Sequence, residues 1–219
     1  PGGSAHFSPT MRTLLVVTAV LLLGCRAREA APAAPLPNLP VPEVPAQSKW
    51  VIDPENSSAS FVARHVFTNV RGMMHQPTGA VTLDDATPAN SSASATLAVR
   101  TIDTGVPERD THLQSADFFD AARFPDLTFS STGFAPASGG GFTVTGTLTM
   151  HGVSKPVTLA VTLSPPFNHA GGIRRGLEAT TRVNRRDFGI AWDFPGEGTG
   201  VVVGDEVNVT IDLELVLQR

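Results

Sequence analysis

Four segments of this chain alternate apolar and polar residues one by one, and a period of two admits little besides β-strand. In Phe142–Met150, Phe142, Val144, Leu148 and Met150 share one face, and Thr143, Thr145, Thr147 and Thr149 share the other. Val157, Leu159, Val161 and Leu163 alternate with Thr158 and Thr162. Leu177, Ala179, Thr181 and Val183 alternate with Glu178, Thr180, Arg182 and Asn184. At the C-terminus Val207, Val209, Ile211, Leu213, Leu215 and Leu217 oppose Asn208, Thr210, Asp212 and Glu214. Segments 59–66, 80–84, 94–102 and 127–134 add further strands, which makes eight, with short ones near Trp50 and Val201. One apolar and one polar face per strand is the pattern of an antiparallel sheet wetted on one side.

Several of these runs exceed the usual five or six residues of a strand. Eight of them can close into a barrel that holds one small ligand, or pack as a two-sheet sandwich around a solid core. The alternation alone does not choose. Ser138-Gly139-Gly140-Gly141 reads as a hairpin loop, and His151 to Pro156 joins two strong strands. Segment 111–122 is the one helix candidate, capped by Asp110 or Thr111 and ended by Phe124-Pro125.

With 41% apolar and 16% charged residues, the chain has the composition of a globular protein. Its net charge of -4 and its two lysines, Lys49 and Lys155, leave no basic stripe for nucleic acid. The single cysteine, Cys25, excludes an internal disulfide. Met11-Arg12 and the apolar run 13–23 have the form of an export signal, shorter than the roughly 20 residues of a membrane span. The run ends in Leu22-Leu23-Gly24-Cys25, which resembles a bacterial lipobox with Cys25 as the acylated residue. Plain secretion with cleavage near 30–34 is the alternative. Residues 1–10 read as a leader, 11–24 as a lipoprotein signal peptide and 25–47 as a linker with six prolines. Fully extended, that linker would reach roughly 70 Å. The folded domain is expected over 48–219, in the periplasm and tethered to a membrane through Cys25.

Catalytic and metal motifs are missing from the sequence. There is no G-x-S-x-G, no H-E-x-x-H and no cysteine ligand in the domain. His65, His112 and His151 read as structural or pocket-mouth residues and not as a metal set. Arg109-Asp110 and Arg186-Asp187 read as structural ion pairs or as anchors for a ligand's head. No catalytic residue is assigned. Ser115, three residues from His112, leaves a lipid-acting hydrolase as a rival, with Asp110 as the third group.

The block from Ile102 to Thr132 sets Arg109-Asp110, His112, Ser115 and Asp117 beside Phe118-Phe119, Phe124-Pro125 and Phe129. It resembles the signature of the YceI-like family, extracytoplasmic β-barrels associated with long isoprenoid chains. Trp50-Val51-Ile52-Asp53-Pro54, Phe61 to His65, Leu148 to Val157, Val183 to Gly189 and Val203 to Val207 resemble that family in order and spacing. Gln114 departs from it, since the family often has Arg there, and so do Met73-Met74, where an aromatic is common.

The resemblance implies an all-β fold, an eight-stranded antiparallel lipocalin-like barrel with a short helical insertion. It implies a non-enzymatic role in carrying, storing or sensing an isoprenoid lipid or quinone, with no cofactor beyond that ligand. A fatty acid or fatty amide would also fit an apolar tunnel, and an envelope structural protein without ligand is a further alternative. Ligand contacts are expected from Phe142, Val144, Leu148, Leu159, Val161 and Leu213 in the wall. Phe61, His65, Phe118, Phe119, Phe129, Phe188 and Trp192 complete the expected set. A barrel roughly 25 Å tall is too short for a long polyprenyl chain. Its mouth is therefore expected to have apolar edges, covered by segment 111–123 or by a second subunit of a homodimer.

Overall fold

The computed structural model describes residues 40–169, 171–193 and 203–218. The strands are β1 (Gln47–Ile52), β2 (Ser58–His65), β3 (Thr68–His75), β4 (Thr78–Asp84), β5 (Ser92–Ala98) and β6 (Ile102–Asp103). After helix α1 (Pro107–Gln114) come β7 (Asp126–Pro136), β8 (Phe142–Met150), β9 (Val153–Leu163), β10 (Phe167–His169), β11 (Gly172–Asn184) and β12 (Val203–Leu217). Several of these are segments of longer paths. β1 and β2 run along β12 in turn, β3 and β4 run along β2 and β1, and β5 and β6 run along β4 and β3. β9 and β10 both pair with β11. The result is an eight-stranded antiparallel barrel in which each path pairs with its neighbours in sequence. It closes where β11 pairs with β12, from Arg174↔Val216 to Asn184↔Glu206.

The breaks in the paths have local causes. Between β1 and β2 the 3-10 turn Pro54–Asn56 is capped by Asp53, whose carboxylate accepts from the Glu55 N–H at 3.1 Å. Between β3 and β4 Gln76 takes a positive φ of 58° just before the buried Pro77, which cannot donate to a ladder. Two strand glycines admit aromatic rings from the neighbouring strand. A Cβ on Gly72 would lie 2.4 Å from Phe61 Cζ, and one on Gly146 would lie 2.4 Å from the Phe129 ring.

Segment 68–75 carries no clean alternation, because Gly72 and two methionines blur it, yet it forms β3 and completes the path that was expected only at 80–84. The helix is also displaced from its expected place. It spans Pro107–Gln114 and not 111–122, and neither Asp110 nor Thr111 caps it. Pro107, with its φ preset for a helix, sits in the first turn. The Asp110 carboxylate turns back and accepts from Thr104 N and Thr104 Oγ1 at 2.9 and 2.6 Å. Val201, near which a short strand is expected, lies outside the described residues.

Along the barrel the inward side chains form three clusters. One end is filled by Trp50, Ile52, Val81, Leu83 and Leu215, with Trp50 and Leu215 fully buried. The Trp50 indole N–H donates to Ser48 Oγ at 2.9 Å, so its one polar atom is satisfied there. Phe134, Val144, Leu159, Val161 and Ala179 occupy the middle. Phe118, Met150, Val183, Phe188 and Ile190 occupy the other end, beneath the segment that follows α1. Among the described residues, these clusters and the closed ladder draw on positions between 44 and 217, within the compact unit 38–219.

Gly79 sits where β4 meets β5 at φ 146°, and a Cβ there would lie 2.1 Å from the Ser94 carbonyl oxygen. Gly79→Ala is therefore expected to destabilise the barrel by about 2 kcal/mol or more, since neither backbone can yield cheaply. Urea unfolding of the two proteins measures this.

Candidate functional site

Between the Trp50 layer and the far end lies a cavity of about 280 Å³. Its wall follows from strand parity. Val207, Val209, Ile211 and Leu213 of β12 face it, as do Leu177, Ala179, Thr181 and Val183 of β11. On the other side of β11, β9 contributes Val157, Leu159 and Val161, and β8 contributes Val144, Leu148 and Met150. The hollow exists because Ala59, Ala63, Ala93 and Ala95 occupy inward positions where larger residues would fill it. Leu113, Phe118 and Phe119 approach from α1 and the loop after it, so that segment covers the end away from Trp50. The surface facing the hollow is apolar throughout.

Arg185 is the ionic residue in that wall, and sequence reasoning passed over it. Its signal was available: Leu177, Ala179, Thr181 and Val183 point inward, so Arg185 continues the inward parity. It is buried, and all its N–H groups are engaged. Nε donates to Gly204 O at 3.1 Å, and Nη1 donates to Ile190 O and Trp192 O at 2.8 and 2.9 Å. Nη2 donates to Val203 O and Asp193 Oδ1 at 3.2 and 3.0 Å and lies 3.1 Å from Asp205 Oδ1. One guanidinium thus ties the chain after β11 to the start of β12. Next to it, on the outside, Arg186 pairs with Asp193 and Asp205, both at 2.6 Å. The hydrogen bond from Arg186 is the main cause that holds the Asp193 carboxyl below the usual carboxylate range. At the opposite end Arg174 bridges Asp53 and Glu214, and its hydrogen bond likewise lowers the Asp53 carboxyl.

Of the residues expected at the ligand, Phe61, Phe118, Phe119, Phe129, Val144, Leu148, Leu159, Val161 and Leu213 line the cavity. Four do not, and their positions explain why. His65 is exposed at the tip end of β2, beyond the last wall residue Ala63. Phe142 lies at the outer end of β8, with its ring against Phe134 at 6.3 Å. Phe188 is buried under the cap, where its carbonyl accepts from His151 Nδ1 at 3.1 Å. Trp192 packs edge-on against His112 at 5.0 Å, outside the hollow.

Arg109, Asp110 and His112 brace the cap, and none of the five expected anchors lines the cavity. Arg109 donates to Thr104 Oγ1 and Thr104 O at 2.7 and 2.9 Å, and Asp110 accepts from the same threonine. His112 Nε2 lies 3.0 Å from Asp117 Oδ2, and its ring meets Phe118 and Trp192. Arg186 does not pair with Asp187, which is exposed. Ser115 Oγ donates to the His112 carbonyl at 2.7 Å and not to its ring, so Asp110, His112 and Ser115 form no relay. Among the described residues no three His, Cys, Asp or Glu side chains converge as metal ligands. Cys25 lies outside the described residues.

The family model of the YceI-like domain matches residues 50–215. Protein YceI of Salmonella arizonae is 33% identical over 176 residues, covering 78% of this chain and 88% of that one. The crystal structure of Burkholderia cenocepacia BcnA is 29% identical with a TM-score of 0.65, covering 74% of this chain and 98% of BcnA. A polyisoprenoid binding domain from Saccharophagus degradans has the same fold, with 16% identity, a TM-score of 0.55 and coverage of 77% and 98%.

Replacing Arg185 by Met leaves the carbonyls of Ile190, Trp192, Val203 and Gly204 without their donor. A loss of about 3–5 kcal/mol is expected, with hydrogen exchange at 190–193 and 203–207 rising before the rest of the barrel. Acid should act at both ends. A depressed carboxyl contributes stability above the unfolded value, near 3.9, and that contribution is lost as pH falls through the folded value. The melting temperature should be level above about pH 5 and fall below about pH 4. Asp193→Asn should remove part of that fall.

Proposed function

The chain belongs to the YceI-like family, and from that premise we propose that its barrel binds the hydrocarbon part of a long isoprenoid lipid, such as a quinone or polyprenyl lipid, without converting it. The observation that carries this reading is the hollow itself: a closed barrel with an apolar wall whose one guanidinium is spent on backbone carbonyls. Such a site offers a ligand little except removal from water. That suffices, since each buried CH₂ contributes about 0.8 kcal/mol. The cavity lies near the lower end of the roughly 300–1,000 Å³ range of small-molecule sites. A long chain would fill it and protrude, with its head group outside. The shared fold of the Saccharophagus domain, described as polyisoprenoid binding, supports the choice of an isoprenoid.

In this reading the protein works outside the cytoplasm. Residues 11–24 are the export signal, Cys25 carries a lipid anchor, and 26–47 is the tether. Incorporation of labelled palmitate, abolished by Cys25→Ser, tests the anchor.

Native mass spectrometry and organic extraction of the purified protein test the ligand. A lipid in roughly equimolar amount is expected. Competition between isoprenoid quinones and fatty acids then identifies the class. Ala59→Phe, which places a ring in the hollow, should lower lipid affinity by about tenfold or more, with little change in melting temperature. Protein that is reproducibly empty and takes up none of these lipids would sink the proposal.

A further inference from the structure

The β2–β3 hairpin turns through two residues, Val66 and Phe67, between the paired His65 and Thr68. Such turns favour Asn-Gly, because a positive φ is needed and a side chain resists it. Here a β-branched valine takes φ 43°, an outlier for that residue type. The residue beside it, Phe67, is 86% exposed, more than any other large apolar side chain among the described residues. A strained turn that holds an aromatic ring in water stabilises nothing within the barrel, so its use lies outside it.

The surroundings indicate the partner. The turn begins three residues past Ala63, the last cavity residue of β2, and His65 pairs with Val203, which also lines the cavity. The finger therefore rises beside the capped end and away from the Trp50 plug. From Ser58 to His75 the hairpin carries Arg64 and Arg71 and no Asp or Glu, in a chain whose net charge is -4. Both arginines are exposed. Of the acidic residues across the bulge from Arg64, Asp205 is held by Arg185 and Arg186, which leaves Glu206. Met73 on the same strand and Val106, just past the strand that pairs with it, add exposed apolar surface.

We propose that this hairpin is a membrane-docking finger, with Phe67 entering the interface of an anionic bilayer while Arg64 and Arg71 meet its head groups. The geometry would set the capped end of the barrel against the lipid surface. Aromatic residues favour that interface, and each basic side chain near an anionic surface strengthens binding severalfold.

The test uses residues 38–219, the compact unit, so that neither the export segment nor an anchor contributes. Co-sedimentation is measured with phosphatidylcholine vesicles, with and without roughly one-third phosphatidylglycerol. Binding is expected on the anionic vesicles and should weaken with salt. Phe67→Ser should lower it about tenfold, with no change in melting temperature. Arg64→Gln and Arg71→Gln should each lower it roughly fivefold. A tryptophan at the tip (Phe67→Trp) should shift its emission to the blue on these vesicles. Ala59→Phe, with the cavity filled, should dock normally, so docking and lipid binding can fail separately. The proposal is overturned if Phe67→Ser binds as wild type does. It is also overturned if sedimentation velocity shows that Phe67 drives self-association while vesicles are not bound.

Discussion

The pairing of β11 with β12 is the constraint on which the rest of this structure depends. Until those strands meet, the other pairings make only an open sheet with two raw edges, which invites other chains to pair with it. Once they meet, every strand has an inside and an outside, and the period of two in the sequence becomes a wall. The ring size also fixes the interior. An eight-stranded barrel is just wide enough for side chains to fill it. Whether it is solid or hollow then depends on residue volume at inward positions. Trp50, Leu83 and Leu215 fill one end. Ala59, Ala63, Ala93 and Ala95 leave room further along.

The hollow end needs a different solution from the filled one. Where β11 ends and β12 begins, the backbone leaves the ladder, and its carbonyls would face an apolar interior unpaired, which costs about 1–3 kcal/mol each. A single guanidinium meets four of them, at Ile190, Trp192, Val203 and Gly204, with Asp193 and Asp205 balancing its charge. Lysine could not do this, because a point ammonium lacks the planar fork of donors. The arrangement also keeps the cavity apolar, since a guanidinium with every N–H engaged presents no free donor to it. The seal and the character of the site are therefore one feature.

Parity made the wall legible in the sequence, and parity would also have identified Arg185, which continues the inward run of Val183. The adjacent Arg186 and Asp187 read instead as an ion pair, because opposite charges side by side in sequence suggest contact in space. Both residues lie in the 3-10 turn Arg185–Phe188 that follows β11, and there Arg186 turns to Asp193 and Asp205. Other features were not legible. β3 lacks alternation, because its Gly72 serves to admit the Phe61 ring from the next strand. The helix start was set by Pro107, while the better capping residue, Asp110, was drawn back to Thr104. Phe142, Phe188 and Trp192 share the character of the lining residues, but Phe142 sits at the outer end of its strand, and Phe188 and Trp192 belong to the segment after β11 and not to a wall strand. Period gives the face, but it does not give the height.

The chemistry of the wall also bears on what the site can do to a molecule inside it. Enzymes lower barriers chiefly by aiming preorganised donors or charges at the place where charge develops. Here the donors nearest the hollow are spent on the backbone, and the hydroxyl, imidazole and carboxylate of Ser115, His112 and Asp110 each face a different partner on the cap. A polar head group brought into this hollow would lose its hydration and find no replacement, at a cost that would offset several buried CH₂ groups. On the proposed function, the favoured pose keeps the head at the rim and the chain inside, and a lipid would enter and leave through the end where its head group remains wet. That end is the capped one, because the Trp50 layer fills the other.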